Sequence, residues 1–438
     1  MRIRILVSGL TLLLISFSAL SVPTIQHWRS DNGADVYFVP TKGLPIVDVQ
    51  LVFNAGSAYD AAQNGVAGLT SALLDEGAAG QTAQQIAEQF ESVGAQLSTG
   101  SSRDFSTLTF RSLSEKKALK RSWAAFKNVL NSPDFPANDF NRVKEQTLLG
   151  IKRREESPGT LAQLALYKEI YQEHPYAKPV RGTVESVSAL SRDDLSSFYQ
   201  RYYVAKNLKV ILVGGVSRQQ AEQMVADLLA DLPMGEKAQP IAKVPDVVKG
   251  KSIHLEYPSQ QTHLMYGTPV VTHNDADYVA LSVGNHILGG SGFSSRIVKE
   301  IREERGLAYS AYSYFHPMME KGPFLMGLQT RNEKVVEAAT ATKQTLLEFI
   351  EKGVSEEELI AAKKNISGGF ALRLDSNKKL LSNVVSIVAS GAPLDYLNTY
   401  LSKINEVTLS DIQDAFQRRV LIDKMVMVTV GQKQGGNE

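Results

Sequence analysis

The stretch from Arg296 to Tyr309 contains two residues, Arg302 and Tyr309, whose side chains could act together on a carbonyl group. A helix-like run ends at Gly306, and an alternating aromatic segment continues from Tyr309 to Phe315. Arginine offers a planar set of N–H donors that stays charged, and tyrosine offers a hydroxyl donor. The spacing therefore predicts that a fixed cation and a phenol on either side of one turn reach the same bound carbonyl.

The histidines show no spacing that would hold a metal to attack such a carbonyl. Two imidazoles grip one zinc ion when they stand one helical turn apart. No two of the seven histidines stand three or four residues apart; they are His27, His174, His254, His263, His273, His286 and His316. The chain has no cysteine, which excludes a thiol nucleophile and a cysteine-ligated metal. We expect no metal in this chain, and a zinc site assembled from dispersed ligands is the alternative.

Size and composition indicate an ordinary globular protein rather than a nucleic-acid-binding one. The 438 residues are enough for two or more domains, each with its own core. Charged residues make up 21% of the chain and the net charge is +1, so the strong basic excess of nucleic-acid binders is absent. We expect no nucleic-acid partner.

The N-terminus resembles a secretory signal. Arg2 and Arg4 precede an apolar run from Ile5 to Phe17 that is too short for a comfortable membrane span. Small residues follow, and cleavage after Ser21 would leave a net charge near −1 and no stable membrane span. We therefore expect residues 1–21 to be a signal peptide and the protein to be periplasmic. A chain anchored in the inner membrane by an uncleaved N-terminus is the alternative.

Two internal matches indicate a tandem duplication. Residues 191–200 match residues 408–417 at an offset of 217 residues, and each copy is followed by a buried strand that ends at glycine. Residues 140–144 match residues 359–363 at an offset of 219 residues, which is half the chain length. Coincidence is the alternative, because helix-then-strand patterns recur in unrelated folds.

The duplication divides the chain into residues 22–233, a linker at 234–251 and residues 252–438. Pro240 and Pro245 interrupt helix formation in the linker. Strand-like alternation and helical spacing occur in separate runs within each half. The predicted fold is α+β, with two tandem homologous half-domains, each a mostly antiparallel sheet packed with helices on one side.

Several segments together resemble the pitrilysin/insulinase-type zinc peptidases, the inverzincins, and specifically their bacterial processing-peptidase-like branch. The resemblance covers nearly all of residues 35–435. The segments that carry it are residues 65–73, the His-Pro-Tyr triplet at 174–176, the Ile-Leu-Gly-Gly run at 287–290, residues 294–310 and residues 368–376.

The resemblance implies that the zinc motif of the first half is degenerate. Active members carry His-x-x-Glu-His on a helix of that half, where two imidazoles bind zinc and the glutamate acts on the metal-bound water. Here the corresponding positions are Gly68, Ser71 and Ala72. A third, carboxylate ligand is expected near residues 149–151, where no acid stands. The first half is therefore expected to bind no metal.

The resemblance also implies a role for Arg302 and Tyr309. In the family, the half without zinc contributes an arginine and a tyrosine to an active site that a zinc-bearing half completes, and both match here. We expect a non-catalytic subunit of a heteromeric zinc metalloendopeptidase. It would be inactive alone, pairing with a homologous His-x-x-Glu-His subunit that holds the zinc and acting on extended peptides. The alternatives are a peptide-binding or assembly scaffold without protease output and an autonomous zinc peptidase.

Overall fold

A computed structural model describes residues 23–433 of the chain. The predicted signal peptide, residues 1–21, lies outside the described residues. Within residues 23–433, no helix combines the length and the apolar character that a membrane crossing requires.

The first half is built on a six-stranded sheet. Its strand order is β1-β2-β8-β3-β7-β6, and every neighbouring pair is antiparallel except β2 and β8. A separate two-stranded hairpin joins β4 and β5. The strands are β1 (Gln26–Arg29), β2 (Asp35–Pro40), β3 (Ile46–Phe53), β4 (Gly77–Ala78), β5 (Gln81–Thr82), β6 (Gln96–Ser101), β7 (Ser106–Leu113) and β8 (Leu208–Gly214).

The second half is built on a five-stranded sheet. Its strand order is β11-β12-β10-β13-β9, and the pair β13 and β9 is parallel. The strands are β9 (Ser252–Glu256), β10 (Gln261–Val271), β11 (Ala308–Phe315), β12 (Gly322–Arg331) and β13 (Val426–Gly431). Both sheets are thus mostly antiparallel, with one parallel pair each.

Helices pack on the sheets in both halves. The first half contains α1 (Val66–Leu73), α2 (Ala83–Glu91), α3 (Lys116–Asn131), α4 (Ala137–Glu155), α5 (Pro158–Tyr171), α6 (Val184–Ala189), α7 (Arg192–Tyr202) and α8 (Arg218–Leu229). The second half contains α9 (Tyr278–Asn285), α10 (Arg296–Val298), α11 (Val335–Lys352), α12 (Glu356–Phe370), α13 (Asn377–Ser390), α14 (Tyr396–Glu406) and α15 (Leu409–Arg419). Two π-helical segments, His286–Gly290 and Lys299–Glu304, follow α9 and α10. The predicted α+β fold is confirmed.

One helix from each half crosses to the sheet of the other half. Helix α5 packs on β10 and β13, where Leu166 is fully buried. Helix α13 packs on β3 and β8, where Val384 is fully buried. These two helices begin 219 residues apart, at Pro158 and Asn377. Each sheet is therefore covered on its second face by the equivalent helix of the opposite half.

The equivalent helices of the repeat share their local structure. Ser191 caps α7 and Thr408 caps α15, and each is joined to its third helical residue by a reciprocal capping box. Lys144 donates to two carbonyls at the end of α6 and just after it, and Lys363 donates to the carbonyl of Asn405 on α14. The shared caps and lysine bonds are the local basis of the internal matches in the sequence.

The segment between the halves carries no helix or strand over residues 233–250, and it is anchored rather than freely solvated. Val244 and Val247 are buried, and the carbonyl of Ala242 lies 2.8 Å from Nε2 of His174 in the first half. Lys321 of the second half pairs with Asp246 at 2.6 Å. These contacts hold the segment against both halves.

Candidate functional site

Helix α1 contains the three degenerate motif positions, and its start is fixed by a buried carboxylate. Asp60 accepts hydrogen bonds from the backbone N–H of Gly65 at 2.7 Å and of Ala67 at 3.0 Å. Gly65 has a φ of 99°, a conformation that favours glycine, at the turn into the helix. Burial raises the pKa of Asp60 to about 6, although the bonds from Gly65 and Ala67 oppose the increase. The helix is therefore held in place independently of any metal.

The motif positions cannot supply metal ligands. Gly68 and Ala72 lie one turn apart on the partly exposed face of α1, and neither has a donor atom. Ser71 is 2% exposed, and its hydroxyl is buried without a hydrogen-bond partner. A site of the family type would need two imidazoles on the face that Gly68 and Ala72 occupy.

The third ligand position is equally unsuited to zinc. Helix α4 packs against α1 and carries Leu149, which is half exposed, and Gly150. A side-chain carbon at Gly150 would meet no atom within 4 Å, so the space beside this position is open. Among residues 23–433, no group of three or more His, Cys, Asp or Glu residues could hold a metal ion. The residues present do not fit the zinc of the active family members.

Arg302 and Tyr309 are brought together by the end of a helix. The π-helical segment Lys299–Glu304 carries Arg302, and Gly306, with a φ of 60°, reverses the chain into β11. Leu307 donates to the carbonyl of Ile301 at 2.8 Å and closes this turn. The guanidinium carbon of Arg302 then lies 4.6 Å from the ring centroid of Tyr309.

A second ring, Phe293, lies on the same guanidinium. Its centroid is also 4.6 Å from the guanidinium carbon of Arg302, and its side chain is 68% exposed. Sequence reasoning missed Phe293, because the glycine-rich run at 289–292 gives no sign that the ring after it reaches Arg302. Two aromatic contacts restrain the arginine and leave the N–H edge of its guanidinium available to a ligand.

Tyr309 is exposed, Arg302 is partly buried, and neither has an ionic partner among the described residues. Tyr309 is 83% exposed at the start of edge strand β11, beside a register shift in its pairing with β12. In the described part of the chain, Arg302 makes no ion pair, whereas the neighbouring Arg296 and Arg305 pair with Glu358 and Glu300. The pair therefore presents a phenol and an uncompensated cation to solvent.

The two groups of candidate residues lie on separate elements. Helix α1 packs against α4, α7 and β6, whereas the segment that carries Arg302 packs against α11 and β11. The structure brings Arg302 and Tyr309 together with each other, and it places Gly68, Ser71 and Ala72 in the other half.

Two family models match this chain. The insulinase model (peptidase family M16) matches residues 39–184, and the peptidase M16 inactive domain model matches residues 189–366. The crystal structure of a peptidase M16 inactive domain from Pseudomonas fluorescens is 36% identical, with a TM-score of 0.91 over 94% of this chain and 98% of that chain. The chain belongs to the peptidase M16 family.

Curated relatives of this M16 chain carry two kinds of name. The non-peptidase homolog YmxG of Helicobacter pylori is 29% identical over 97% of this chain and 98% of that protein. The uncharacterized zinc protease YmxG of Bacillus subtilis is 23% identical over 89% of this chain and 94% of that protein. At its own motif positions the M16 chain has Gly68, Ser71 and Ala72 and thus retains the peptidase fold without the zinc ligands.

Proposed function

We propose that this chain is the zinc-less subunit of a heteromeric M16 metalloendopeptidase. Arg302 and Tyr309 contact a peptide in an active site that a homologous His-x-x-Glu-His subunit completes. The observation that carries the proposal is the pair itself, with the guanidinium 4.6 Å from the phenol ring and without an ionic partner among residues 23–433. The zinc ion of the complex is expected in the partner and not in this chain.

The chemistry of the pair suits the binding of a reacting carbonyl. The Tyr309 hydroxyl is free to donate a hydrogen bond to an oxyanion that forms on the scissile carbonyl. The Arg302 guanidinium supplies positive charge beside it and contacts the rings of Phe293 and Tyr309. An extended peptide adds main-chain hydrogen bonds when it pairs with an exposed sheet edge, and β6 and β11 are edge strands.

The proposed compartment is the periplasm. Its support is the basic start and the short apolar run within residues 1–21, with small residues before the predicted cleavage point. An inner-membrane form anchored by the uncleaved N-terminus is the competing proposal. Sequencing the N-terminus of the protein recovered from a periplasmic extract separates the two, because only the cleaved form begins after Ser21.

Reconstitution tests the proposed function. The chain, a homologous subunit that carries His-x-x-Glu-His, and an equimolar mixture of the two are each assayed on an unstructured peptide. We expect a stable complex, cleavage by the mixture well above that of either subunit alone, and zinc only in the partner. A complex that binds the peptide without cleaving it supports the competing scaffold function. Cleavage by this chain alone, with one tightly bound zinc per chain, contradicts the proposal.

A further inference from the structure

The first degenerate motif position lies against a segment that carries an arginine. A side-chain carbon built at Gly68 would stand 3.5 Å from the carbonyl oxygen of Val180 and 3.9 Å from the Cα of Arg181. The segment Val180–Arg181 therefore passes beside α1 at ordinary van der Waals distance. Arg181 is exposed and has no ion pair or side-chain hydrogen bond in the described part of the chain.

A second arginine lies next to the third ligand position. Arg154 stands four residues after Gly150 on α4, so both face the same side of that helix. The space beside Gly150 is open. The guanidinium Nε of Arg154 is buried and has no hydrogen-bond partner. Arg154 belongs to the charged run Lys152–Glu156, a composition that is typical of a solvated helix surface.

Arg154 and Arg181 are close enough to repel each other. Burial lowers the pKa of Arg154, Arg181 lowers it further, and Glu155 opposes the shift. A buried donor without a partner destabilises a folded protein, so this arrangement does not stabilise the fold.

Two other partly buried arginines of the described residues are paired with carboxylates. Arg111 donates to Asp48 at 2.7 Å, and Arg296 donates to Glu358 at 2.6 Å through both ends of its guanidinium. Arg154 lacks any such partner within residues 23–433. A guanidinium that is held beside an open space and left unpaired is suited to an anion from outside the chain.

We propose that Arg154 and Arg181 form a binding site for a peptide carboxylate, at the place where active family members hold zinc. The guanidinium pair supplies the fixed positive charge there. The choice of a carboxylate rests on the proposed function, because peptides are then the molecules that enter this region. The carboxylate comes from the C-terminus of the peptide or from an acidic side chain.

Peptide binding by the isolated mature chain tests the site and separates the two sources. One fluorescent, unstructured peptide is prepared with a free or an amidated C-terminus, and with Glu or Gln at one internal position. We expect the carboxylate that is recognised to strengthen binding about tenfold in Kd, as one charge-assisted contact of about 1.4 kcal/mol does. Arg154→Gln and Arg181→Gln remove that advantage and leave the affinity for the uncharged peptide unchanged.

Arg153→Gln is the matched control, because Arg153 is an exposed neighbour on the same helix. Thermal melting of Arg154→Met adds an independent check, since removal of an unpaired buried donor should not lower Tm. Equal affinity for all four peptides, no binding at about 1 mM peptide, or equal losses in the Arg153→Gln variant overturns the proposal. The binding assay uses no partner subunit. Carboxylate recognition can therefore fail while the reconstituted complex still cleaves peptide, and it can succeed while the complex does not cleave.

Discussion

Helix α1 and the Arg302–Tyr309 pair differ in what the fold requires of their residues. On α1, Val66, Leu69 and Leu73 face the core, and Asp60 holds the first turn, whereas the partly exposed motif positions are glycine and alanine. In the second half, two large side chains are presented outward, and Tyr309 is 83% exposed.

The residues of α1 are accounted for by packing, whereas those of the Arg302–Tyr309 pair are not. The inner face of α1 explains why the helix forms without metal ligands, because its buried residues pack in the core and Asp60 caps its first turn. No packing requirement explains an arginine that contacts two exposed rings, and we therefore assign the proposed function to Arg302 and Tyr309. The following predictions test this contrast, from the largest effect to the smallest.

Removal of the buried carboxylate should produce the largest loss of stability. Asp60→Ala leaves the N–H groups of Gly65 and Ala67 without their acceptor in the interior, and we expect a loss of about 3 kcal/mol in the free energy of unfolding. Urea denaturation measures it. Glu115→Ala is the control, because Glu115 also accepts two backbone N–H groups but is exposed, and its loss should be much smaller. Equal losses of stability in the two variants would show that the buried cap of α1 contributes no more than an exposed cap.

Truncation of a buried side chain on helix α5, which crosses to the second sheet, should weaken the packing between the two halves. Leu166 is fully buried between α5 and the second sheet, so Leu166→Ala should cost about 2–3 kcal/mol. Leu149→Ala on the neighbouring helix α4 is the control, since Leu149 is half exposed and should change stability little. Denaturation followed by tryptophan fluorescence measures both. A near-neutral Leu166→Ala would mean that the packing of α5 contributes little.

The stability contributed by Asp60 should depend on pH. Its pKa is about 6 in the folded chain and near 3.8 when unfolded, so the folded state binds the proton more tightly. The resulting contribution is fully present below about pH 3.8 and is lost as the pH rises through about 6. We expect the stability of the wild type relative to Asp60→Asn to fall by about 2 kcal/mol between pH 4 and pH 7. A difference that stays constant with pH would contradict the assigned pKa.

Replacement of Arg302 should have the smallest effect on stability. Its contacts are two exposed aromatic rings, and Arg302→Gln should cost less than about 1 kcal/mol. Arg305→Gln, on the same turn and paired with Glu300, is the matched control. Thermal melting compares them. A large decrease in Tm for Arg302→Gln alone would assign Arg302 a structural role and remove the basis of the comparison.

The sequence was sufficient for the fold because the informative patterns are local. Capped helices, alternating strands and the repeat offset predict two similar halves, and the caps at Ser191 and Thr408 show why. The crossing of α5 and α13 could not be predicted, because the apolar stripe of a helix does not specify which sheet it will meet. Only the tertiary structure shows that α5 and α13 each pack on the sheet of the opposite half.

The candidate site was predictable in part. Arg302 and Tyr309 stand in one short segment, so their contact follows from a helix, a turn and a strand. Phe293 and Arg154 were missed for different reasons. A glycine-rich run gave no indication that Phe293 reaches Arg302, and a run of five charged residues concealed that one of them, Arg154, has a buried guanidinium nitrogen.

Turnover of the reconstituted complex with Tyr309→Phe tests the central claim most directly. This substitution removes one hydroxyl and keeps the ring against Arg302, and Tyr312→Phe on the same strand is the control. We predict a decrease in kcat of about 100-fold with little change in peptide affinity, because one oxyanion donor is lost. Wild-type turnover by the Tyr309→Phe complex, or an equal decrease with Tyr312→Phe, would contradict the account.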